Sequence, residues 1–358
     1  MEQVFVTPCE SYDPAEVTAA VAKLFDFLQP ADVQGKKVLV KPNLLLGATP
    51  ESAVITHPVV ALAVADYFDG LGACVIMAES GGYPYESAVL KSVYKKCGYS
   101  PLCDKYLYFH GKTGTKDCKD GMKSKQFQLI APAIECDIIV GIAKLKTHGL
   151  TRFSGACKNM FGTIPGLLKP TYHAKLPKVE DFSEMLVDLC ETVAPTFSII
   201  DGIIGMEGNG PSGGMPKYEG ILMASRNPYA LDATACRIIG IAPMVVYTTS
   251  IAKRRQLFQE PIDVIGMPKE TVRFMPAETH PGLISLLFGR FNPFKKKRKL
   301  PHISERCTRC GACVKVCPKD TIVKDGTKLR IDTSNCILCY CCHEFCPHKA
   351  IDFVKNTI

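Results

Sequence analysis

The sequence predicts an α/β fold, with a mainly parallel sheet covered by helices on both faces and a small C-terminal α+β domain. Two observations support this prediction. Continuous apolar strands alternate with amphipathic helical segments over most of the chain, as in sheets that are buried on both faces. Nine of the 18 cysteines fall between positions 307 and 346. The length of 358 residues has room for about two domains. We expect an α/β domain at 1–280, an apolar-then-basic linker at 281–302 and the cysteine-rich domain at 303–358.

The first helix and strand follow the N-terminus. Apolar residues recur at helical spacing from Val17 to Leu28, with Asp13 as the N-cap and Pro14 in the first turn. The next strand covers 37–40. A second helix begins at Pro58, where His57 is interpreted as a helix-entry residue, and the strand 73–77 follows.

The later elements repeat this alternation. A strand at 137–142 is followed by a helix through Phe182 and Leu189, and then by a strand at 197–200. The strand 220–224 leads into a helix capped by Asn227 with Pro228 behind it. Repeated strand–helix units indicate a mainly parallel sheet.

Polar residues stand where four of these strands end. The endings are Lys41-Pro42-Asn43, Glu79-Ser80-Gly81-Gly82, Lys144-Leu145-Lys146-Thr147-His148 and Asp201-Gly202. In open parallel sheets, ligands bind outside the carboxyl ends of the strands. The four endings therefore predict one site at that edge of the sheet.

Two longer segments add candidate residues. The segment 152–175 holds Lys158, Asn159, Lys169 and His173, and the segment 202–214 holds Glu207 and Asn209 among several glycines. Dense glycine lets backbone amides approach an anion. Turn formation alone explains such glycines equally well.

The candidate residues suit three kinds of site. The cationic set would bind a carboxylate or phosphate, and a lysine with a lowered pKa could act as a general acid. Its members are Lys41, Lys144, Lys146, His148, Lys158, Lys169 and His173. The oxygen-bearing set could instead hold a divalent cation. Its members are Asn43, Glu79, Asp201, Glu207, Asn209 and Asp232. A flavin on the glycine-rich loops, or a structural network of ion pairs with no substrate, also stays open.

Among these residues we assign catalytic roles to one group and ligand binding to another. The catalytic candidates are Lys144, Lys146, His148, Lys158 and Asp201. The binding candidates are Lys41, Asn43, Glu79, Asn159, Lys169, His173, Glu207 and Asn209.

The C-terminal cysteines form one pattern twice, a C-x-x-C-x-x-C-x-x-x-C-P run at 307–318 and again at 336–347. In such runs the first three thiolates hold one [4Fe–4S] cluster, and the fourth ligates the other cluster. The first predicted ligand set is Cys307, Cys310, Cys313 and Cys346. The second is Cys336, Cys339, Cys342 and Cys317.

Zinc and disulfides explain these cysteines less well. Zinc sites commonly use two separated ligand pairs. Disulfides would require an exported chain, and the N-terminus lacks the features of a signal peptide. The last 55 residues or so resemble the bacterial two-cluster ferredoxins, including Ile322 and Ile351, where each half returns to a short strand. Cys341 falls outside the motif.

Composition and charge indicate which partners and which cellular location to expect. The net charge is +8, and five cations lie together at Lys295–Lys299 after an apolar stretch. We interpret this run as linker; contact with a membrane surface is the alternative. No nucleic-acid motif and no apolar run of spanning length is present. We expect a cytoplasmic protein from an anaerobe.

Several motifs together resemble the family catalogued as domain of unknown function 362. They are Val40-Lys41-Pro42-Asn43, Thr56-His57-Pro58, Lys144-Leu145-Lys146-Thr147-His148, Lys158-Asn159-Met160-Phe161-Gly162, Asp201-Gly202, Met206-Glu207-Gly208-Asn209-Gly210-Pro211 and Ala230-Leu231-Asp232-Ala233. The resemblance covers roughly residues 3–270. Several members of that family carry a C-terminal ferredoxin module. The resemblance implies a fold and a site, but no reaction.

Two functions are therefore expected. The first is an iron–sulfur oxidoreductase that receives electrons from a redox partner protein and acts on a small anionic substrate at the strand ends. The second is a non-catalytic specialised ferredoxin, or a maturation factor, that docks a partner enzyme.

Overall fold

One eight-stranded sheet organises the first part of the chain. The computed structural model describes residues 1–266, 272–279, 299–326 and 328–354. The strand order is β10-β1-β9-β8-β6-β2-β3, and β7 pairs with β6. The strands are β1 (Gln3–Pro8), β2 (Lys37–Lys41), β3 (Cys74–Met77), β6 (Ile138–His148), β7 (Arg152–Ser154), β8 (Phe197–Glu207), β9 (Met215–Ser225) and β10 (Asp263–Gly266). A separate hairpin is formed by β4 (Thr113–Asp117) and β5 (Gln126–Ile130).

Helices connect these strands. They are α1 (Pro14–Leu28), α2 (Pro58–Gly70), α3 (Ser87–Lys96), α4 (Pro132–Glu135), α5 (Ala156–Asn159), α6 (Lys169–Lys175), α7 (Val179–Val193), α8 (Pro228–Ile238) and α9 (Tyr247–Arg254). Short 3₁₀ turns lie at Pro50–Ser52, Met160–Thr163, Gly166–Leu168 and Pro243–Val245. The predicted caps of α1 and α8 are confirmed, because Asp13 and Asn227 each accept two backbone N–H groups of their helix.

The sheet is mainly parallel, which confirms the predicted fold class. Strands β3, β2, β6 and β8 are consecutive parallel neighbours. Strand β9 runs antiparallel to both β8 and β1. Its reversed direction follows from its connection, since a short turn after β8 can only return the chain antiparallel.

Both faces of the sheet are buried, as predicted. Alternate residues of β2 enter different apolar clusters: Leu39 packs with α7 and α8, whereas Val38 and Val40 pack with α1 and α2. Successive strand side chains point to opposite faces, so the two clusters lie on opposite sides of the sheet.

The central strands are longer than predicted. Strand β6 extends to His148 and is buried along its whole length, and β8 extends to Glu207. Lys144 and Lys146 therefore lie inside a strand rather than in a loop after it. Strand β1, helix α3, helix α9 and the β4–β5 hairpin were not predicted at all.

The C-terminal domain is a small α+β unit. Strand β11 (Leu300–Ile303) pairs with β14 (Ile351–Val354), and β12 (Ile322–Asp325) pairs with β13 (Lys328–Ile331). Two one-turn helices follow the cysteine loops, α10 (Ala312–Lys315) and α11 (Cys341–Glu344).

The predicted linker overlaps the C-terminal sheet at its end. Leu300–Pro301–His302 belong to β11, so they are part of the C-terminal sheet rather than of the linker. The residues 281–298, including the basic run Lys295 to Arg298, lie outside the described residues; Lys299 donates to Glu278 Oε2 at 2.6 Å. Within the described ranges, no helix has the length and apolar character needed to cross a membrane.

Candidate functional site

The motif cysteines surround two separate cavities. One, of about 290 Å³, is lined by Cys307, Cys310, Cys313 and Cys346. The other, of about 340 Å³, is lined by Cys317, Cys336, Cys339 and Cys342, with Cys341 beside them. Each cavity thus takes its fourth motif cysteine from the other half of the domain.

The surroundings of these cysteines fit [4Fe–4S] clusters. The backbone N–H of Thr321 donates to Cys317 Sγ at 3.3 Å, and that of Ala350 donates to Cys346 Sγ at 3.2 Å. The fourth cysteine of each motif therefore has the same kind of hydrogen bond in both halves of the domain. Such N–H donors stabilise charge on cluster sulfur. In the described part of the chain, no three His, Cys, Asp or Glu side chains converge closely enough to hold a single metal ion.

A cleft opens at the carboxyl ends of β2, β3 and β6. It has two lobes that share Asn43, Leu45, Lys158 and Asn159. We call the first the lysine lobe, about 280 Å³ with its mouth; its other lining residues are Ala143, Lys144, Lys146, Ser154, Gly155 and Pro211. We call the second the cluster lobe, about 430 Å³ with its mouth; its other lining residues are Glu79, Ser80, Gly81, Gly82, Phe161, Gly162, Lys169, His173, Glu344 and Phe345.

One buried ion pair joins β2 to β3 under the cleft. The Lys41 ammonium donates to Glu79 Oε2. It also donates to Asn159 Oδ1 and to Pro42 O, both at 2.9 Å. Burial raises the pKa of Glu79, and Lys41 opposes that shift. All three N–H groups of Lys41 are used within the protein, so this residue holds the strand ends in place.

A second ion pair joins β6 to β8. Lys144 Nζ donates to Asp201 Oδ2 at 2.9 Å and to the hydroxyl of Tyr12 at 2.7 Å. The Tyr12 hydroxyl in turn donates to Asp201 Oδ1 at 3.0 Å, and its ring stacks on His57. Burial lowers the pKa of His57 to about 4, so its imidazole is neutral at pH 7.

Lys146 is buried without a carboxylate partner among the described residues. Its ammonium donates to Val54 O at 2.7 Å, and the side chain is about 1% exposed. Burial, together with the nearby charge of Lys158, places the pKa of Lys146 well below its usual range. An anion entering the lysine lobe would reverse that shift.

Lys158 reaches the boundary between the two lobes. It is half-buried and stands over the Phe161 ring at 5.9 Å. Within the part of the chain that the structure describes, no hydrogen bond or ion pair engages its ammonium. Burial lowers the pKa of Lys158, and Glu344 partly offsets this effect.

Lys169 and His173 form the far wall of the cluster lobe. Lys169 Nζ donates to the carbonyl oxygens of Ser80, Gly81 and Ile164, which uses its three N–H groups. Burial lowers the pKa of Lys169 to about 7. The His173 ring stacks on Phe182, and burial lowers its pKa to about 3, so it is a neutral packing residue.

The C-terminal domain closes the cleft. Glu344 and Phe345 line the cluster lobe and lie between the predicted cluster ligands Cys342 and Cys346. A Cβ on Gly82 would overlap the Phe345 ring, so glycine permits this contact. His148 Nδ1 accepts the N–H groups of Leu150 and Thr151, which leaves its proton on Nε2, 3.3 Å from Glu344 Oε1.

Two predicted binding residues lie outside the cleft. Glu207 accepts from Lys217 Nζ at 3.1 Å and from the N–H of Met275. Asn209 pairs with Glu278 through its side chain, and its carbonyl oxygen accepts from His343 Nε2 at 2.9 Å. Both residues are carried away from the strand ends because β8 and β9 continue as a hairpin.

The glycine-rich segment 202–214 also differs from its interpretation as an anion nest. Its first half is strand β8, and its turn contacts the C-terminal domain. A Cβ on Gly213 would lie 2.6 Å from His343 Cε1, and Ser212 Oγ donates to Glu344 O at 2.9 Å. Close packing against the C-terminal domain therefore accounts for Gly213, whereas Gly210 and Gly214 lie against the backbone of Thr147 and Glu207 in the first domain.

The proposed oxygen ligands for a divalent cation do not converge. Glu79, Asp201 and Glu207 are each paired with a different lysine. Asp232 accepts the N–H groups of Ala156 and Cys157, at the start of the helix that carries Lys158. The arrangement therefore gives no support to a divalent cation held by this set, because its members serve separate partners.

Sequence reasoning missed four residues of the site. Tyr12 follows an unpredicted strand, and Ser154 belongs to β7. Glu344 and Phe345 lie between two cysteines of the second motif. The local sequence there gives no sign that the C-terminal domain contacts the cleft. Only the tertiary arrangement reveals them.

Comparisons with known proteins agree with these two parts. The family model described as "Domain of unknown function (DUF362)" matches residues 38–237, and a "4Fe-4S dicluster domain" matches residues 299–347. The chain is 30% identical over 263 residues to "Thylakoid-associated protein sll1697" of Synechocystis, covering 71% of this chain and 79% of that protein.

Two further similarities are more limited. "Indolepyruvate oxidoreductase subunit IorA" of Archaeoglobus fulgidus is 37% identical over 73 residues, which is 20% of this chain and 12% of that protein. The lactate racemase apoprotein structure from Thermoanaerobacterium thermosaccharolyticum aligns with a TM-score of 0.40 and 12% identity. That alignment covers 67% of this chain and 57% of the racemase chain.

Proposed function

Since the chain belongs to the DUF362 family and ends in a 4Fe–4S dicluster domain, we propose that it is an iron–sulfur oxidoreductase whose small anionic substrate occupies the cleft. One observation carries the proposal. The residues between two cluster ligands, Glu344 and Phe345, form a wall of a cleft lined by lysines. The electron-transfer module and the anion site thus share a boundary.

The protein side chains have distinct roles in this proposal. The ammonium of Lys158, unpaired in the described structure, binds the substrate at the junction of the lobes. Lys41 and Lys169 have no free N–H group and keep the strand ends rigid. Phe345 and Phe161 exclude water beside the reacting group, which strengthens every charge interaction there.

When bound, the clusters supply one-electron transfers. A two-electron reduction of the substrate then takes two electrons that a redox partner protein has delivered, together with two protons. Lys158 Nζ is positioned to give one proton, and bulk water at the cleft mouth supplies the other. A lysine whose pKa is lowered by burial gives up its proton more readily, which suits this role.

Reoxidation of the reduced holo-protein tests the proposal. Anaerobic protein reduced with dithionite, and freed of excess reductant, is mixed with a panel of small carboxylates and phosphorylated carbonyl compounds. Cluster absorbance then reports electron loss. We expect a panel member to reoxidise the wild type and to fail with Lys158→Met. Lys217→Met is the matched control, because Lys217 pairs with Glu207 outside the cleft.

Two results would contradict the proposal. One is reoxidation by a panel member at equal rates in the wild type and Lys158→Met. The other is reoxidation by an electron-acceptor protein only, unaffected by Lys158→Met. The second result favours the alternative of a specialised electron carrier or maturation factor.

A further inference from the structure

The lysine lobe contains N–H donors that the protein leaves unused. A lysine ammonium has three N–H groups. Within the described residues, Lys144 directs two of them to Asp201 and Tyr12, Lys146 directs one to Val54 O, and Lys158 directs none. About six N–H groups on three lysines are therefore free, and all three lysines line the same lobe.

Two more polar atoms in the lobe lack partners. Ser154 Oγ is buried without a hydrogen bond to any described residue, and Ser154 is about 8% exposed. Asn43 Oδ1 is also buried without a donor and lies where the two lobes meet. A buried polar group without a partner costs on the order of 1–3 kcal/mol, so such groups in one cavity indicate a missing ligand.

The charges of the site are also unbalanced. The buried network holds five lysines: Lys41, Lys144, Lys146, Lys158 and Lys169. It holds three carboxylates: Glu79, Asp201 and Glu344. Two of the lysines are neutralised by direct ion pairs with Glu79 and Asp201, and Glu344 faces His148. With all these lysines and carboxylates ionised, five positive and three negative charges leave an excess of two positive charges beside the lobe.

We propose that the lysine lobe binds a phosphate dianion, so that the substrate is a phosphorylated compound whose reducible part lies in the cluster lobe. The inference rests on the proposed function and narrows its substrate class. A phosphate group offers three or more acceptor oxygens and two negative charges. A single carboxylate has two oxygens and one charge, so it would leave donors and charge unmatched.

Asn43 fits the same arrangement at the boundary of the lobes. Its free Oδ1 is an acceptor and does not suit a fully ionised phosphate oxygen. It accepts instead an O–H or N–H group of the substrate, adjacent to the phosphate and on the path toward Glu344 and Phe345. Phosphate and reducible group are thereby held on opposite sides of Asn43.

Equilibrium binding to the holo-protein with oxidised clusters tests this inference without turnover. Isothermal titration calorimetry compares inorganic phosphate, ethyl phosphate and acetate. We expect both phosphates to bind at least about tenfold more tightly than acetate, a difference of about 1.4 kcal/mol. Tighter binding of ethyl phosphate supports an esterified substrate, whereas tighter binding of inorganic phosphate would contradict a phosphorylated substrate and favour the free ion.

Lys146→Met separates a ligand-binding role from a structural one. The variant should lose about tenfold or more in phosphate affinity. Without ligand it should melt at a higher temperature than the wild type, because methionine removes a buried polar amine that has no carboxylate partner among the described residues. A structural lysine would show the opposite change in melting temperature. Lys217→Met again serves as the control that leaves phosphate affinity unchanged.

Proton uptake provides a further readout. The charges around Lys146 are Lys144 on its own strand, Lys158 on α5, Glu79 after β3 and Glu344 on α11. Since burial and the neighbouring lysines lower the pKa of Lys146, phosphate should bind together with a proton. The binding enthalpy should then vary with the ionisation enthalpy of the buffer in the wild type, and less in Lys146→Met.

The inference is overturned if acetate binds as tightly as both phosphates, or if Lys146→Met binds phosphate like the wild type. Either result leaves the proposed oxidoreductase function standing, because that function depends on the reoxidation of reduced clusters and on Lys158. Conversely, selective phosphate binding without any reoxidation of the clusters would support phosphate binding in the lysine lobe and contradict the proposed redox function.

Discussion

His148 Nε2 lies 3.3 Å from Glu344 Oε1, so the end of the central strand meets a residue from between two cluster ligands. Both side chains are buried. The contact ties the electron-transfer domain to the strand that also carries Lys144 and Lys146. A substitution on one side of this contact should therefore alter the structure on the other side.

Cys317→Ser tests the exchange of ligands between the two cysteine runs. Cys317 lines the cavity of Cys336, Cys339 and Cys342, so its loss should damage the cluster held by the second run. We expect iron content to fall by about half, from the eight irons of two [4Fe–4S] clusters. EPR of the reduced protein should lose the interaction between two clusters. Cys74→Ser, at an exposed cysteine, should leave both readouts unchanged.

Phe345→Ala should open the cluster lobe. The ring packs against Gly82, and its removal should cost up to about 3 kcal/mol, since the ring is only half-buried. We expect faster bleaching of the clusters in air, measured by absorbance, because water and oxygen gain access. Phe5→Ala removes a partly buried ring at the far side of the sheet and should not change the bleaching rate. Equal rates for Phe345→Ala and the wild type would mean that the lobe is already open.

Tyr12→Phe should weaken the network around Lys144. The hydroxyl accepts from Lys144 and donates to Asp201, and a buried hydrogen bond contributes about 1 kcal/mol. We expect a lower melting temperature with the clusters retained. Tyr67→Phe is a suitable control, because the ring of Tyr67 stacks on Phe25 and no hydrogen bond to a described residue engages its hydroxyl. A Tyr12→Phe protein as stable as this control would show that the hydroxyl is dispensable.

His57 should remain neutral well below pH 6.5. Burial lowers its pKa from 6.5 to about 4. The unfolded chain binds this proton more readily, so the contribution of His57 to stability is present above pH 6.5 and is lost as the pH falls toward 4. NMR titration of histidine-labelled protein should show one imidazole titrating near pH 4 that disappears in His57→Gln. A His57 signal titrating near 6.5 would contradict the buried, neutral state.

The sequence predicted the edge of the sheet where the cleft lies, but not the C-terminal domain that closes it. Apolar runs and their polar ends placed Lys41, Glu79, Lys144 and Asp201 on neighbouring parallel strands, because that pattern follows from local periodicity. Lys158 and Lys169, which the sequence analysis groups with this edge, both line the cleft. Their binding roles stay predictions, as do the flavin, the cytoplasmic location, the anaerobic source and the domain boundaries.

The misplacements have a common physical cause. Glu207 and Asn209 are grouped with the site in the sequence analysis because the strand is predicted to end at residue 200, with a glycine-rich loop after it. In fact the strand continues, and its hairpin docks the second domain. No local pattern reports such long-range packing, and for the same reason the role of Glu344 and Phe345 was invisible. Strand length and domain contact were decided by tertiary structure rather than by propensity.

The position of Glu344 and Phe345 between predicted ligands of different clusters implies that cluster insertion precedes substrate binding. Cys342 lines one cavity and Cys346 the other, so the segment between them is anchored at both ends only after both clusters are inserted. In the proposed function, a newly made or oxygen-damaged chain would hold this wall less firmly, and substrate would be captured only by molecules that already contain both clusters.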